Sequence, residues 1–80
     1  MTRYFFHLRD GTDEILDPEG VEMPLEAVAA AAMTGARDCL AADARAGRVD
    51  LRYRIDVEQG AGELVCSLAF ADALEIVGGD

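Results

Sequence analysis

His7 is the only histidine in the chain, and it sits inside the run Arg3-Tyr4-Phe5-Phe6-His7-Leu8-Arg9. Histidine titrates near neutrality, so a general base or a ligand-binding group is chemically open to it. Asp10, Asp13 and Glu14 follow closely, and with His7 they make up a small cluster of the type that holds a ligand or a metal ion. Asp17, Glu19 and Glu22 extend the acidity around the same turn. Hard cations such as calcium take sets of oxygens like these, but Ile15 stands where an EF-hand loop needs its glycine. The weightier reading is a solvated acidic rim, able to dock a basic partner. His7 then bonds to a carboxylate or a backbone carbonyl to hold the turn.

Cys39 and Cys66 lie far apart, with no C-x-x-C and no basic neighbour to activate either thiol. With a single histidine they make a poor zinc set, since a structural site takes four ligands. Arg45, Arg48, Arg52 and Arg54 fall close together and suggest a phosphate-binding patch. The formal net charge of −9 opposes that, because a field of that sign repels nucleic acid and anionic membranes. No glycine-rich phosphate loop, nucleophile elbow or Ser/His/Asp order is present, so no catalytic residue, cofactor or metal is assigned.

Eighty residues leave no room for a second domain, and residues 71–80 read as a loose or edge-packing tail. No apolar run approaches the roughly 20 residues that span a bilayer, and the opening lacks a signal-peptide pattern. The expected location is the cytoplasm. The aromatic run at the start reads as a strand closed by the turn Asp10-Gly11-Thr12-Asp13. A short second strand spans Glu14 to Asp17. From Pro24 the residues Leu25, Val28, Ala32, Ala36 and Leu40 recur at helical spacing, and Gly47 closes the helix in the left-handed region. Gly35 with its neighbouring alanines suggests a helix lying close on the sheet. Arg52 to Glu58 alternates as a half-buried third strand, Gln59-Gly60-Ala61-Gly62 turns the chain, and Glu63 to Phe70 returns as the fourth.

The order β-β-α-β-β gives an α+β fold, one long helix on one face of a mainly antiparallel four-stranded sheet. Sheet order 2-1-3-4 makes every pair antiparallel and is preferred over 2-1-4-3. The expected core is Tyr4, Phe6, Leu8, Leu25, Val28, Ala32, Ala36, Leu40, Ile55, Val57, Leu64, Cys66, Leu68 and Phe70. Strand residues alternate sides, so Phe5, His7, Arg9, Val65 and Ala69 then occupy the face away from the helix. Either the tail or another chain should lie over Phe5, with another chain favoured.

The opening Arg3-Tyr4-Phe5-Phe6-His7-Leu8-Arg9-Asp10-Gly11 resembles a family of short bacterial proteins classed only as a domain of unknown function. Its members tend to begin R-Y-F-F-H-x-R-D-G. They continue with an acidic stretch like Asp17-Pro18-Glu19-Gly20-Val21-Glu22, an alanine-rich helix, and a strand ending like Phe70 to Leu74. Members often carry an aspartate before the helix, where this chain has Met23-Pro24, which weakens the expected N-cap. The resemblance implies no activity. A looser likeness, without a shared motif, is to antitoxins with a β-rich domain and one packed helix. The function expected is a non-enzymatic interaction module, acting by self-association or through a protein partner. The alternatives are an antitoxin-like regulator, or a ligand site at His7 and the acidic turn.

Overall fold

The computed structural model describes residues 1–78. Residues 79 and 80, part of the expected loose end, lie outside the described residues. Five strands and one long helix follow in the order β1 (Thr2–Arg9), β2 (Glu14–Ile15), β3 (Val21–Met23), α1 (Val28–Arg45), β4 (Arg54–Gln59) and β5 (Glu63–Ala69). The sheet runs β2-β1-β4-β5, all pairs antiparallel, with β3 pairing β1 on the same edge as β2. The expected third and fourth strands are β4 and β5, so the order is the 2-1-3-4 arrangement.

The expected second strand, Glu14 to Asp17, is shortened to Glu14–Ile15, and a fifth strand that was not expected, Val21–Met23, follows it. β2 pairs with the end of β1 through Leu8 and Arg9, while β3 pairs with its start through Thr2, Arg3 and Tyr4. Pro18 has no backbone N–H to give to the ladder, and the chain leaves β1 between Leu16 and Gly20. The piece at Val21–Met23 has only three residues and no strong alternation, too short to read from the sequence.

Pro24 is extended, and residues Leu25–Ala27 make a 3-10 turn before the α-helix begins. Neither helical start has a side-chain cap, so the unbonded N–H groups of the first turn are left to tighter bonding and solvent. In that turn Leu25 points outward at 62% exposure, so it is not a core residue. At the other end Gly47 adopts φ +90, the left-handed closure its position required. Val28, Ala32, Ala36 and Leu40 face the sheet and are buried. The alanines, not Gly35, set the close approach: a Cβ on Gly35 would meet Ile55 Cδ1 at 3.5 Å, an ordinary contact.

The core joins those helix residues to Tyr4, Ile55, Val57, Phe70 and Ala73, with Phe6, Leu8, Cys66 and Leu68 half-buried against them. A bulge corrects the expected alternation of β5. Val57 pairs with Cys66, but the next residue, Glu58, pairs with Leu64, so Val65 is the extra residue. One inserted residue reverses the side on which everything beyond it lies. Leu64 therefore leaves the core and stands 58% exposed, while Val65 packs on the core instead of the far face.

Two stability measurements check this packing. Phe70→Ala should cost about 3–5 kcal/mol, whereas Leu64→Ala should stay within about 0.5 kcal/mol in the same thermal or denaturant melts. Equal losses at the two positions would mean the bulge is misplaced. Gly35→Ala should stabilise by up to about 1 kcal/mol, the helix-propensity difference, because the added methyl has room.

Candidate functional site

α1 covers one side of the sheet, so alternate residues of each strand project from the other. On β1 these are Phe5, His7 and Arg9. Directly opposite them on β4 stand Glu58, Asp56 and Arg54. Arg9 faces Arg54 across the ladder, a like-charge pair that would repel on its own. Asp56 lies between them and resolves it. Arg9 Nη1 donates to Asp56 Oδ2 at 3.0 Å, and Arg54 Nε donates to the same carboxylate at 3.1 Å. Ser67 Oγ, from β5, adds a third donor at 2.6 Å.

Asp56 is buried, and burial by itself pushes its carboxyl pKa up. The hydrogen bonds from Ser67 and Arg9, with the charge and hydrogen bond of Arg54, outweigh that and hold it below the ordinary carboxylate value. Arg9 also donates from Nη1 to Glu58 at 2.8 Å and from Nε to Glu14. Hydrogen bonds to Glu58, Glu14 and Asp56 raise its pKa further, so its charge is fixed at any working pH.

His7 is buried beside this network. Its Nδ1 accepts the backbone N–H of Asp17 at 3.0 Å, and Nε2 lies 3.4 Å from Glu58 Oε1. An accepting Nδ1 places the ring proton on Nε2, directed at Glu58. A proton added to Nδ1 would break the bond to Asp17. Nδ1 thus holds the turn through a backbone N–H, where a carboxylate or a backbone carbonyl was expected, and Nε2 faces the Glu58 carboxylate of β4. Phe5 lies parallel to the His7 ring, 7° between planes.

Asp17 completes the arrangement. β1 is unpaired on its outer edge between β2 and β3, and the Asp17 carboxylate fills that gap by accepting Phe6 N–H at 3.1 Å. It also accepts the N–H groups of Gly20 at 3.1 Å and Glu19 at 3.3 Å. Burial would raise its pKa, but the three backbone donors, Gly20 first, prevail and lower it. Gly20 has φ +71, and a Cβ there would come within 2.8 Å of Tyr4 O and 2.9 Å of the Phe5 ring. Only glycine closes the loop onto β1.

The residues expected at the far face divide as follows. Phe5, His7, Arg9 and Ala69 are on it, with Ala69 exposed and opposite Arg54. Val65 is not, as a consequence of the bulge. The set His7, Asp10, Asp13 and Glu14 does not converge. Asp10 caps its own turn by accepting the N–H groups of Thr12 and Asp13, Glu14 pairs with Arg9, and His7 reaches Asp17. Among the described residues no group of three or more His, Cys, Asp or Glu is arranged to hold a metal ion. Cys39 and Cys66 are free thiols, and burial pushes the Cys39 thiol pKa up, away from nucleophilic character. Arg52 and Arg54 are neutralised by Asp50 and Asp56, which removes half of the expected cationic patch.

The family described as "Domain of unknown function (DUF6894)" matches residues 3–71. The chain belongs to that family. The DUF6894 match runs from β1 through β5 into the 3-10 turn at Phe70–Asp72, so it takes in the whole ionic face and the Asp17 clasp. No curated protein and no solved structure matches the chain. Among the described residues, no helix of this DUF6894 chain is long and apolar enough to cross a membrane.

Asp56 was not singled out from the sequence, and Asp17 was read only as part of a solvated acidic rim. The signal for Asp17 was its place before Pro18 in the acidic D-x-E-G stretch, and that for Asp56 was its place between arginine and glutamate on an alternating strand. The Asp17 clasp has a pH signature. A depressed folded pKa contributes stability above the unfolded value of about 4, lost as pH falls through the folded pKa. Asp17→Ala should therefore cost about 1–3 kcal/mol at neutral pH, by orphaning Phe6 N–H. The difference from wild type should shrink steadily in urea melts carried from pH 7 to pH 2. A pH-independent cost would mean that the carboxylate charge is not what holds the loop.

Proposed function

We propose that the chain is a non-enzymatic interaction module that works through its open sheet, by self-association or with a protein partner. One observation carries this reading: no other element of the described chain lies across the sheet face opposite α1. The tail had been the intramolecular alternative as a cover. After Phe70 it turns to the helix side, where Arg37 Nε donates to Ala73 O at 2.7 Å and Leu74 and Ile76 line a hollow with Leu40, Ala41 and Ala44.

The chemistry of the face supports the same reading. Every buried side-chain nitrogen or oxygen among the described residues has a hydrogen-bond partner. Arg9 and Asp56 are held by several bonds each and His7 by the Asp17 N–H, which suits a rigid surface better than a group free to move. Fixed, satisfied charges lose little conformational freedom when a partner docks.

Multi-angle light scattering tests this reading, first on the purified chain at micromolar concentration and then on the chain recovered from the cells that make it. A mass above the 8.6 kDa of one chain is expected in at least one of the two. A bare monomer in both would overturn the reading.

A further inference from the structure

We propose that two copies of the chain join edge to edge through β5, antiparallel about a twofold axis normal to the sheet. This deepens the interaction reading above and rests on it. β5 is the last strand of the sheet; one edge pairs with β4, and among the described residues no backbone hydrogen bond reaches the other. A row of unpaired N–H and C=O groups is a ready template for another strand, and natural edges are usually guarded by lysine, proline or inward charges.

β5 carries none of those guards. Its one charged residue is Glu63 at the very start, and Leu64 through Ala71 contains no charge and no proline. The bulge at Val65 twists only the beginning, which leaves Cys66–Ala69 regular and available for pairing. The opposite side of the sheet is built differently. There the edge of β1 is closed by β2, β3 and the Asp17 loop, and that side bears Glu14, Glu19 and Glu22.

Charge selects the occupant. Each copy carries a formal −9, so a second copy is repelled wherever acidic groups face it, and least along the uncharged edge. A basic partner gains nothing from that edge and would be drawn to the acidic side. The strand is also self-complementary. In an antiparallel pair centred on Leu68, the half-buried Leu68 meets its own copy on the helix side. Ser67 of each copy then meets Ala69 of the other on the open side.

The helix flank adds apolar area on the same side of the molecule. Ala31, Gly35 and Cys39 line the flank of α1 that looks towards Phe6 and Leu8 of β1. Arg37, Ala41 and Ala44 are on the other flank, where the tail brings Leu74 and Ile76, the latter 74% exposed.

The test combines sedimentation with amide hydrogen exchange on the intact chain. Wild type should sediment at twice 8.6 kDa. Exchange within Cys66–Ala69 should slow about tenfold when free protomer stands ten times above the dissociation constant. Ala69→Glu places a carboxylate at an exposed position opposite Arg54, tolerable within one copy but repelled by its symmetry mate, and should weaken the dimer at least about tenfold. A wild-type dimer untouched by Ala69→Glu, without protection at Cys66–Ala69, overturns edge pairing while the interaction reading stands. A wild-type monomer found with a different protein does the same. A monomer under all conditions removes both. Should Ala69→Glu fail to fold, concentration-dependent protection of the wild-type amides decides alone.

Discussion

The open face depends on one carboxylate kept charged out of water. Asp56 sits mid-strand in the centre of the sheet, where an unpaired ion would cost several kcal/mol in lost hydration. Arg9, Arg54 and Ser67 supply three separate donors, one from each of β1, β4 and β5. The same contacts join the three strands across their open side. Because Arg9 also reaches Glu14 and Glu58, the β2 end of the sheet is tied into the set. Removing Asp56 would leave Arg9 and Arg54 facing each other as an unrelieved like-charge pair. Such a network fixes register more than it adds net stability, since only one alignment of β1 against β4 brings the donors to the acceptor.

The other half of the fold needs no such precision. Alanines at positions 32 and 36 let α1 lie close over β4 and β5, and Tyr4, Ile55, Val57 and Phe70 fill the space between. This hydrophobic side was legible in the sequence because helix and strand periods are regular: the helix face at Val28, Ala32, Ala36 and Leu40 and the alternation of Tyr53 to Glu58 could be read directly. What was not legible turns on single residues. Leu25 is lost from the core because no side chain caps the helix start, so the first turn tightens. Leu64 and Val65 exchange sides because of one bulge, and nothing local in Glu63-Leu64-Val65-Cys66 announces it.

The ionic face was half visible. Phe5, His7 and Arg9 were placed on the far side by counting alone, and alternation put Arg54, Asp56 and Glu58 together. That Asp56 would be buried, and would collect both arginines, depends on cross-strand register, which a sequence of this length leaves open. The acidic turn misled for a related reason. Asp10, Asp13 and Glu14 are near one another in the chain, but the Asp10 carboxylate is spent on its own turn and that of Glu14 on Arg9. Proximity in sequence is a weak guide to convergence when the backbone reverses between residues.

The two edges of the sheet show opposite treatments of the same physical problem. On the β1 side, residues too few and too polar to form a full strand are divided around Pro18, and the Asp17 carboxylate replaces the missing ladder bond to Phe6. His7 then fastens the loop from below through the Asp17 N–H, and Gly20 lets it close without steric conflict. That edge is finished within the chain and bordered by acids. Among the described residues the β5 edge has no strand beside it, and its one charge is Glu63 at the start. A chain that commits an aspartate, a histidine and a glycine to sealing one edge, yet leaves seven residues of nearly uncharged strand at the other, is not indifferent to edges. The difference in chemistry between the two singles out the β5 edge as the one whose backbone groups are left free to pair.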